Sequence, residues 1–329
     1  MFSRAPAGDR GAEATKASPA PVRPTIGLAL GGGAARGFAH IGVLRTLIEH
    51  GIVPDVIVGT SIGAVVGGCY AAKQLDSLET WARSLTTLRS VLGYMDFSLS
   101  GSGLIGGSRL ATQLIAALKD TRIEDLAPLR FAAIATEFNT GHEIWLTRGR
   151  MVDALRASYA LPGIFTPVKI GGRWLVDGAL VNPVPVSAAR ALGARLVIAV
   201  HLNSDLFGRS AIIQDYGTDD TDKPVPPAPS EGLRGLFGGK SSLRQMLGTR
   251  DEPGIPTVMV EAFNVMQDRI TRARLAGDPP DVQIAPKLGS IGWFDFQHSA
   301  DSIALGAEAA HKSLETIDEA IAALSHPVK

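Results

Sequence analysis

The feature that most constrains the fold is a short apolar strand that runs into the pentapeptide Gly59-Thr60-Ser61-Ile62-Gly63 and then directly into a helix. The strand residues Val56-Ile57-Val58 are β-branched, and the residues after the turn are small and apolar. This order is that of the G-x-S-x-G nucleophile elbow, in which a sharp turn lifts a serine hydroxyl above the edge of a sheet. Because the pentapeptide alone is common by chance, the flanking strand and helix carry the interpretation. The alternative is a βα turn in which Ser61 is a spectator.

Glycine is expected at both flanks of this turn, at Gly59 and Gly63. A Cβ at either position would clash where the strand folds back against the helix, and the serine backbone between them is strained. The turn also places the N-terminus of the helix, with its unpaired N–H groups, beside the serine.

A second strand–turn–helix unit precedes the elbow. Thr25–Leu30 is apolar, 31–37 is a glycine-rich turn, and Phe38–His50 has apolar residues at helical spacing and ends at Gly51. Strands and helices that alternate in this way predict a parallel sheet with helices on both faces. The expected fold class is therefore α/β, a three-layer α/β/α arrangement with a mainly parallel central sheet.

Further elements follow from periodicity and from turn residues. A mostly helical stretch at 76–119 is broken by a glycine-rich, flexible segment at 98–107, and Gly171-Gly172 marks the turn of a hairpin at 168–177. The remaining predicted strands are 129–137, 142–147, 195–202 and 282–285, and the remaining helices are 151–159, 187–192, 257–275 and 301–324.

Composition divides the chain into four parts. Residues 1–24, rich in Ala, Pro, Gly and charge, predict a disordered tail, and 25–202 predict the catalytic core. Residues 203–256 contain a Pro-rich run and acidic clusters, which predict a variable, partly disordered insertion; within it, 233–247 has amphipathic spacing that suits a lid, a lipid contact or a plain loop. Residues 257–325 predict a helical part that completes the same domain.

The net charge, the cysteine count and the length of the apolar runs exclude several classes of protein. A net charge of +0 argues against nucleic-acid binding through phosphate contacts, and the single cysteine, Cys69, cannot form an internal disulfide. The first residues lack the apolar core of a secretory signal, and no run is long enough for a membrane span. A cytoplasmic protein is expected, with peripheral contact to a membrane left open.

A serine hydroxyl needs a base, and the sequence does not single out a histidine for that role. His40 follows the glycine-rich turn and His201 ends a buried strand, but both suit structural roles, as do the other histidines. Asp177 is more informative because it ends the predicted strand of the hairpin and precedes Gly178, which permits a sharp turn. A buried carboxylate with a raised pKa can take the serine proton, although Asp-Gly more often marks an ordinary turn.

The glycine-rich turn after the first strand can present its N–H groups to an anion. A dinucleotide site would require G-x-G-x-x-G, but the spacing fails from both Gly31 and Gly32, and the acidic candidate Asp55 precedes its strand. These failures favour an oxyanion hole over a nucleotide site.

Four ordered blocks together resemble the patatin-like phospholipases, with the bacterial members related to the neuropathy-target-esterase branch as the nearest likeness. The resemblance runs from Thr25 to about Leu202 and is weaker in the C-terminal helices. The blocks are Leu28–Leu44, Gly59–Gly63, Arg156–Pro167 and Asp177-Gly178-Ala179.

The resemblance implies a patatin-like fold and a Ser–Asp dyad without histidine, in which Ser61 is the nucleophile and Asp177 the general base. It implies an oxyanion hole at Gly32, Gly33 and Ala34, with Arg36 close by, and no metal or nucleotide cofactor. Ala34 departs from the family, where many members have a further glycine. Arg36 is expected to anchor the loop or to meet a lipid phosphate.

The function expected from this resemblance is hydrolysis of a phospholipid, lysophospholipid or other acyl ester. An acyltransferase or thioesterase that uses the same dyad is the alternative within the same chemistry. A regulatory binding protein on the same fold is disfavoured because Ser61, Asp177 and the glycine-rich turn are all present. The oligomeric state is not predicted.

Overall fold

A computed structural model describes residues 23–87, 90, 103–105, 108–205 and 254–325 of the chain. The predictions for residues 1–22, for 206–253 with their amphipathic stretch at 233–247, and for His326 lie outside the described residues. Within them, the strands are β1 (Ile26–Leu30), β2 (Val56–Thr60), β3 (Gly103–Ile105), β4 (Arg130–Glu137), β5 (Glu143–Leu146), β6 (Gly163–Phe165), β7 (Val168–Ile170), β8 (Arg173–Asp177), β9 (Leu196–Val200) and β10 (Val282–Ile284).

Eight of these strands form one mixed sheet. Its parallel part has the order β10-β9-β1-β2-β4, while β5 and β8 pair with β4 in the antiparallel sense and β7 pairs with β8. A separate parallel pair joins β3 to β6. The described helices are α1 (Ala39–Glu49), α2 (Ile62–Ala71), α3 (Leu75–Ser84), α4 (Ser108–Leu118), α5 (Met151–Ser158), α6 (Val186–Ala191), α7 (Ile255–Gly277) and α8 (Ser299–Ser325).

Helices cover both faces of the sheet, and β1 shows why. Its side chains alternate, so that Ile26, Leu28 and Leu30 enter a core with residues of α1 and α2, while Ala29 enters a second core with residues of α6. Strands buried on both faces are typical of parallel sheets. The three-layer α/β/α prediction is confirmed, with an antiparallel margin at β5, β7 and β8.

The register at β4 brings two strand ends together. β5 pairs with Ile134 and Ala135 of β4. The opposite edge of β4 is shared, because Ile134 also pairs with Thr60, the last residue of β2, and Ala135 also pairs with Asp177, the last residue of β8. β2 and β8 therefore meet end to end along one edge of β4, and the turn that follows Thr60 begins beside Asp177.

Two helices from opposite ends of the chain cross closely. A Cβ added at Gly42 of α1 would overlap the Ile303 carbonyl of α8, and one added at Gly306 of α8 would overlap the Ala39 carbonyl of α1. The two glycines thus allow backbone-to-backbone contact between α1 and α8.

Most predicted elements lie within a few residues of the observed ones, and the hairpin turn has both of its glycines, Gly171 and Gly172, at positive φ (57° and 82°). Of the segment at 98–107 that is predicted to be flexible, the structure describes residues 103–105. They form β3, which pairs with 163–165 and is thereby tied to the region that follows α5.

Candidate active site

Ser61 occupies a strained turn between β2 and α2. Its backbone has φ 56° and ψ −124°, a conformation that residues other than glycine rarely adopt. The Ser61 N–H donates to Ser158 Oγ at 2.9 Å, and the Ser158 hydroxyl donates in turn to the Ile134 carbonyl at 2.6 Å. Ser158, which is fully buried, therefore fastens the strained turn to β4.

Glycine is required at both flanks of the turn because a side chain there would overlap the backbone of a neighbouring element. A Cβ at Gly59 would overlap the backbone of Ala64, and a Cβ at Gly63 would overlap the Leu30 carbonyl of β1. The predicted contact of β2 with the helix that follows it accounts for Gly59, whereas Gly63 is required by the approach of α2 to β1, so neither position has room for a side chain.

The Asp177 carboxylate faces the serine. Ser61 Oγ donates to Asp177 Oδ2 at 2.6 Å, and the Ala179 N–H donates to Asp177 Oδ1 at 2.8 Å. Asp177 is 2% exposed, so its charged form is poorly solvated. This burial raises the pKa of Asp177 to about 7, against the opposing effect of the two hydrogen bonds. The carboxylate is thus a stronger base than an exposed aspartate, and it is ionised above neutral pH.

Gly178 is needed for a reason that the sequence did not indicate. A Cβ at this position would overlap the carbonyl of Ile134 on the neighbouring strand β4. Close approach between β8 and β4, which sets the position of Asp177, accounts for this glycine.

The glycine-rich turn uses some of its N–H groups and leaves others free for a ligand. The Gly32 N–H donates to the Pro183 carbonyl at 3.0 Å, and the Ala35 N–H to the Trp293 carbonyl at 3.1 Å. Among the described residues, Gly33 and Ala34 have no partner for their N–H groups. Of the three residues expected to form the oxyanion hole, Gly32 has its N–H already engaged, whereas Gly33 and Ala34 keep theirs available to a ligand.

The turn lies against the serine. A Cβ built on Gly32 would be 3.5 Å from the Ser61 Cβ. Ala34, the departure from the family pattern, has φ 49°, so the left-handed conformation that favours glycine is adopted here by alanine. The cost is of order 1 kcal/mol.

Arg36 is buried beneath the turn. Its Nε donates to the Ile291 carbonyl at 2.7 Å and its Nη1 to Asn203 Oδ1 at 3.3 Å. Asn203 Nδ2 donates in turn to Gln267 Oε1 at 3.1 Å. These contacts connect the turn to Asn203 in the chain after β9 and, through Asn203, to Gln267 of α7.

No histidine among the described residues is hydrogen-bonded to the side chain of Ser61 or of Asp177. His40 is buried, its Nε2 lies 2.8 Å from the Gly31 carbonyl, and burial lowers its pKa to about 4, so the neutral ring donates to that carbonyl. Burial also lowers the pKa of His201 to about 4. His50, His142 and His298 contact exposed or partly exposed polar groups.

An apolar cavity of about 240 Å³ lies beside the turn that carries Ser61. Ala34 of the glycine-rich turn and Ile62, the residue after the serine, lie in its wall. The rest of the wall includes Val65, Cys69, Leu114, Tyr159, Phe165 and Phe294. Cys69 is buried there, and its pKa is raised by burial to about 12, which leaves the thiol protonated.

In the part of the chain that the structure describes, no three His, Cys, Asp or Glu side chains are grouped so that they could hold a metal ion. None of the helices there combines the length and the apolar character needed to cross a bilayer.

Comparison of the sequence with known proteins assigns the chain to a family. Residues 28–190 match the family model for patatin-like phospholipase. An uncharacterised NTE family protein of Mycobacterium tuberculosis is 31% identical over 346 residues, covering 90% of this chain and 92% of that protein. Patatin-like phospholipase domain-containing protein 7 of Mus musculus is 33% identical over 211 residues, covering 62% of this chain and 15% of the mouse protein.

Among solved structures, VipD from Legionella pneumophila is similar to 89% of this chain and 67% of that chain, at 10% identity and a TM-score of 0.46. The family assignment depends on the sequence relatives, the first of which aligns along most of both chains. The chain belongs to the patatin-like phospholipase family, among the NTE family proteins.

Proposed function

We propose that this protein is a serine acyl hydrolase that cleaves carboxylic esters of lipids, either phospholipids or lysophospholipids, through a Ser61–Asp177 dyad. The observation that carries the proposal is the hydrogen bond of 2.6 Å from Ser61 Oγ to the buried Asp177 Oδ2. The names of its relatives support a lipid substrate.

In the acylation step, Asp177 takes the proton of Ser61 while Oγ attacks the carbonyl carbon of the ester. The negative charge that develops on the carbonyl oxygen is met by the N–H groups of Gly33 and Ala34 and by the N-terminus of α2. Asp177 then gives its proton to the departing alcohol, and the acyl group stays on Ser61 as an ester.

In the deacylation step, Asp177 takes a proton from a water molecule, whose oxygen attacks the acyl-enzyme carbonyl. The collapse of this second intermediate returns the proton to Ser61 and releases a fatty acid. One ester and one water thus give one alcohol and one acid. The apolar cavity beside Ile62 is the proposed place of the acyl chain during both steps.

The test is reaction with a fluorophosphonate probe, followed by mass mapping of the labelled peptide. We expect the label on Ser61, its absence from Ser61→Ala, and slow labelling of Asp177→Asn. His40→Ala and His201→Ala should be labelled at rates close to that of the unmodified protein. Loss of labelling in either histidine variant, with Asp177→Asn still reactive, would replace the dyad with a triad.

A lipid panel then identifies the acceptor of the acyl group. Free fatty acid as the product supports hydrolysis, whereas transfer to an added alcohol or thiol would indicate an acyltransferase. An unlabelled Ser61 in folded protein would favour the regulatory binding protein.

A further inference from the structure

Helix α7 has two apolar faces, and the described residues cover only one of them. Val260 and Phe263 on the buried face pack with Leu161, Ile164 and Trp293, beside Ala179 of the active site. The opposite face carries Val258, Met259, Val265 and Met266 at 50%, 39%, 46% and 46% exposure. With the exposed Ala262, we name these five residues the α7 stripe.

The spacing of the α7 stripe makes it continuous. Residues 258, 262, 265 and 266 fall on one side of a helix with 3.6 residues per turn, and 259 borders them. Single exposed apolar residues are ordinary, but a contiguous set on one helix face indicates a contact with another apolar phase.

The α7 stripe adjoins the cavity beside the catalytic serine. Met259 lies against Gly163 of β6, since a Cβ at that glycine would overlap the Met259 side chain. The next residues of β6, Ile164 and Phe165, line the cavity, and so does Phe294, which is 37% exposed. An apolar phase that covers the stripe would therefore also reach the cavity.

Positively charged side chains at the C-terminal end of the α7 stripe favour an anionic partner. Arg269 continues the same helix face one turn after Val265, and Arg272 follows it; both are exposed. Arg272 also pairs with Asp268 at 2.8 Å, and the exposed Glu261 borders the stripe at its other end. Apolar residues followed by arginines on one helix face suit the boundary between acyl chains and anionic head groups.

We propose that the α7 stripe docks the protein on an anionic lipid bilayer, with the cavity mouth turned toward the acyl chains. This inference rests on the proposed function, because that function places the substrate in the same lipid phase. A second copy of the chain is disfavoured as the occupant, since it would cover the route by which a lipid chain enters the cavity.

The experiment is co-sedimentation of the full chain with vesicles of equal parts phosphatidylcholine and phosphatidylglycerol. It is performed on the Ser61→Ala protein so that hydrolysis does not alter the vesicles. Val265→Glu is the test variant and Val53→Glu the matched control, because both valines are 46% exposed and Val53 lies before β2, at the end of the sheet opposite to Ser61. We expect Val265→Glu to lower the bound fraction by roughly tenfold and Val53→Glu to leave it unchanged.

A second readout separates this proposal from the proposed function. With Ser61 restored, Val265→Glu should hydrolyse a soluble short-chain ester at the normal rate and vesicle lipid more slowly. If Ser61 resists the fluorophosphonate but sedimentation still depends on Val265, the docking surface stands and the hydrolase proposal fails.

Three outcomes overturn the docking proposal. Protein that stays in the supernatant with vesicles, or equal loss of binding in Val265→Glu and Val53→Glu, would contradict it. The third outcome combines two results. Light scattering would show that the unmodified chain self-associates and that Val265→Glu is a monomer, while both proteins co-sediment equally with vesicles. The α7 stripe would then join two copies of the chain instead of docking on lipid.

Discussion

Thr60 and Asp177 are the last residues of two strands that meet along the same edge of β4. Thr60 pairs with Ile134 and Asp177 with the next residue, Ala135. The turn that begins after Thr60 thus starts beside the Asp177 carboxyl group, and Ser61 Oγ lies within 2.6 Å of it. The Ser61–Asp177 hydrogen bond follows from strand register, which fixes positions more rigidly than loop contacts do.

The first prediction concerns pH. Because the pKa of Asp177 is raised to about 7, kcat/KM for a soluble ester should rise by about tenfold per pH unit in acid and level off above that pKa. Asp177→Asn should lower kcat by roughly 10²–10⁴-fold. A rising limb centred near the pKa of about 4 of His40 and His201 would point to a histidine base.

The same shift predicts how stability depends on pH. Asp177 has a higher pKa in the folded chain than the ordinary 3.8, so the folded state binds an additional proton between 3.8 and about 7. Its contribution to the free energy of unfolding therefore falls as pH rises through that range. The Tm of Asp177→Asn, measured relative to the unmodified protein, should increase from acidic to alkaline buffer. A difference that stays constant with pH would contradict the raised pKa.

Backbone strain at Ser61 predicts that glycine at this position gives a more stable protein than alanine. Glycine adopts a φ of 56° with ψ −124° at little cost, whereas alanine does not. Ser61→Gly should therefore exceed Ser61→Ala by about 1 kcal/mol in the free energy of unfolding, measured in urea. Equal stability of the two inactive variants would show that the turn is not strained.

Close approach at Gly178 predicts a large effect from a single methyl group. Gly178→Ala should lower the free energy of unfolding by about 1–3 kcal/mol and reduce labelling of Ser61, because the Cβ meets the Ile134 carbonyl. Gly277→Ala is the matched control, since a Cβ there has nothing within 4 Å. It should change stability by no more than about 0.5 kcal/mol. Similar losses in both variants would argue against the contact.

Two roles of Arg36 give different kinetics. If it anchors the glycine-rich turn through Ile291 and Asn203, Arg36→Ala should lower kcat by about tenfold or more for neutral esters and phospholipids alike. Arg36→Lys should restore part of the loss. An increase in KM that is confined to phospholipids, with neutral esters unaffected, would instead assign Arg36 to the substrate phosphate.

The sequence was sufficient where the structure depends on local chemistry. The strand before Ser61, the helix after it and the turn at Gly171-Gly172 are dictated by residues within a few positions of each other. The order of strands and helices also led to the three layers, because alternating βα units have few ways to pack.

Contacts between residues that are far apart in the chain could not be predicted from the local sequence. Ser158, which holds the Ser61 N–H, is 97 residues from it, and Asp177 is 116 residues away. The residues around Gly32 did not indicate that the Pro183 carbonyl would accept the Gly32 N–H. They also did not indicate that Gln267 of α7 would be hydrogen-bonded to Asn203, the residue that Arg36 contacts. Such partners are set by the tertiary register, which a single sequence does not reveal.

The crossing of α1 and α8 at Gly42 and Gly306 affects when the chain can become active during its synthesis. Helix α1 follows the glycine-rich turn directly, and the helix that packs on it is the last described element. On the ribosome, Ser61 and Asp177 emerge well before α8 does. We therefore expect the nascent chain to remain inactive until α8 has emerged and packed on α1.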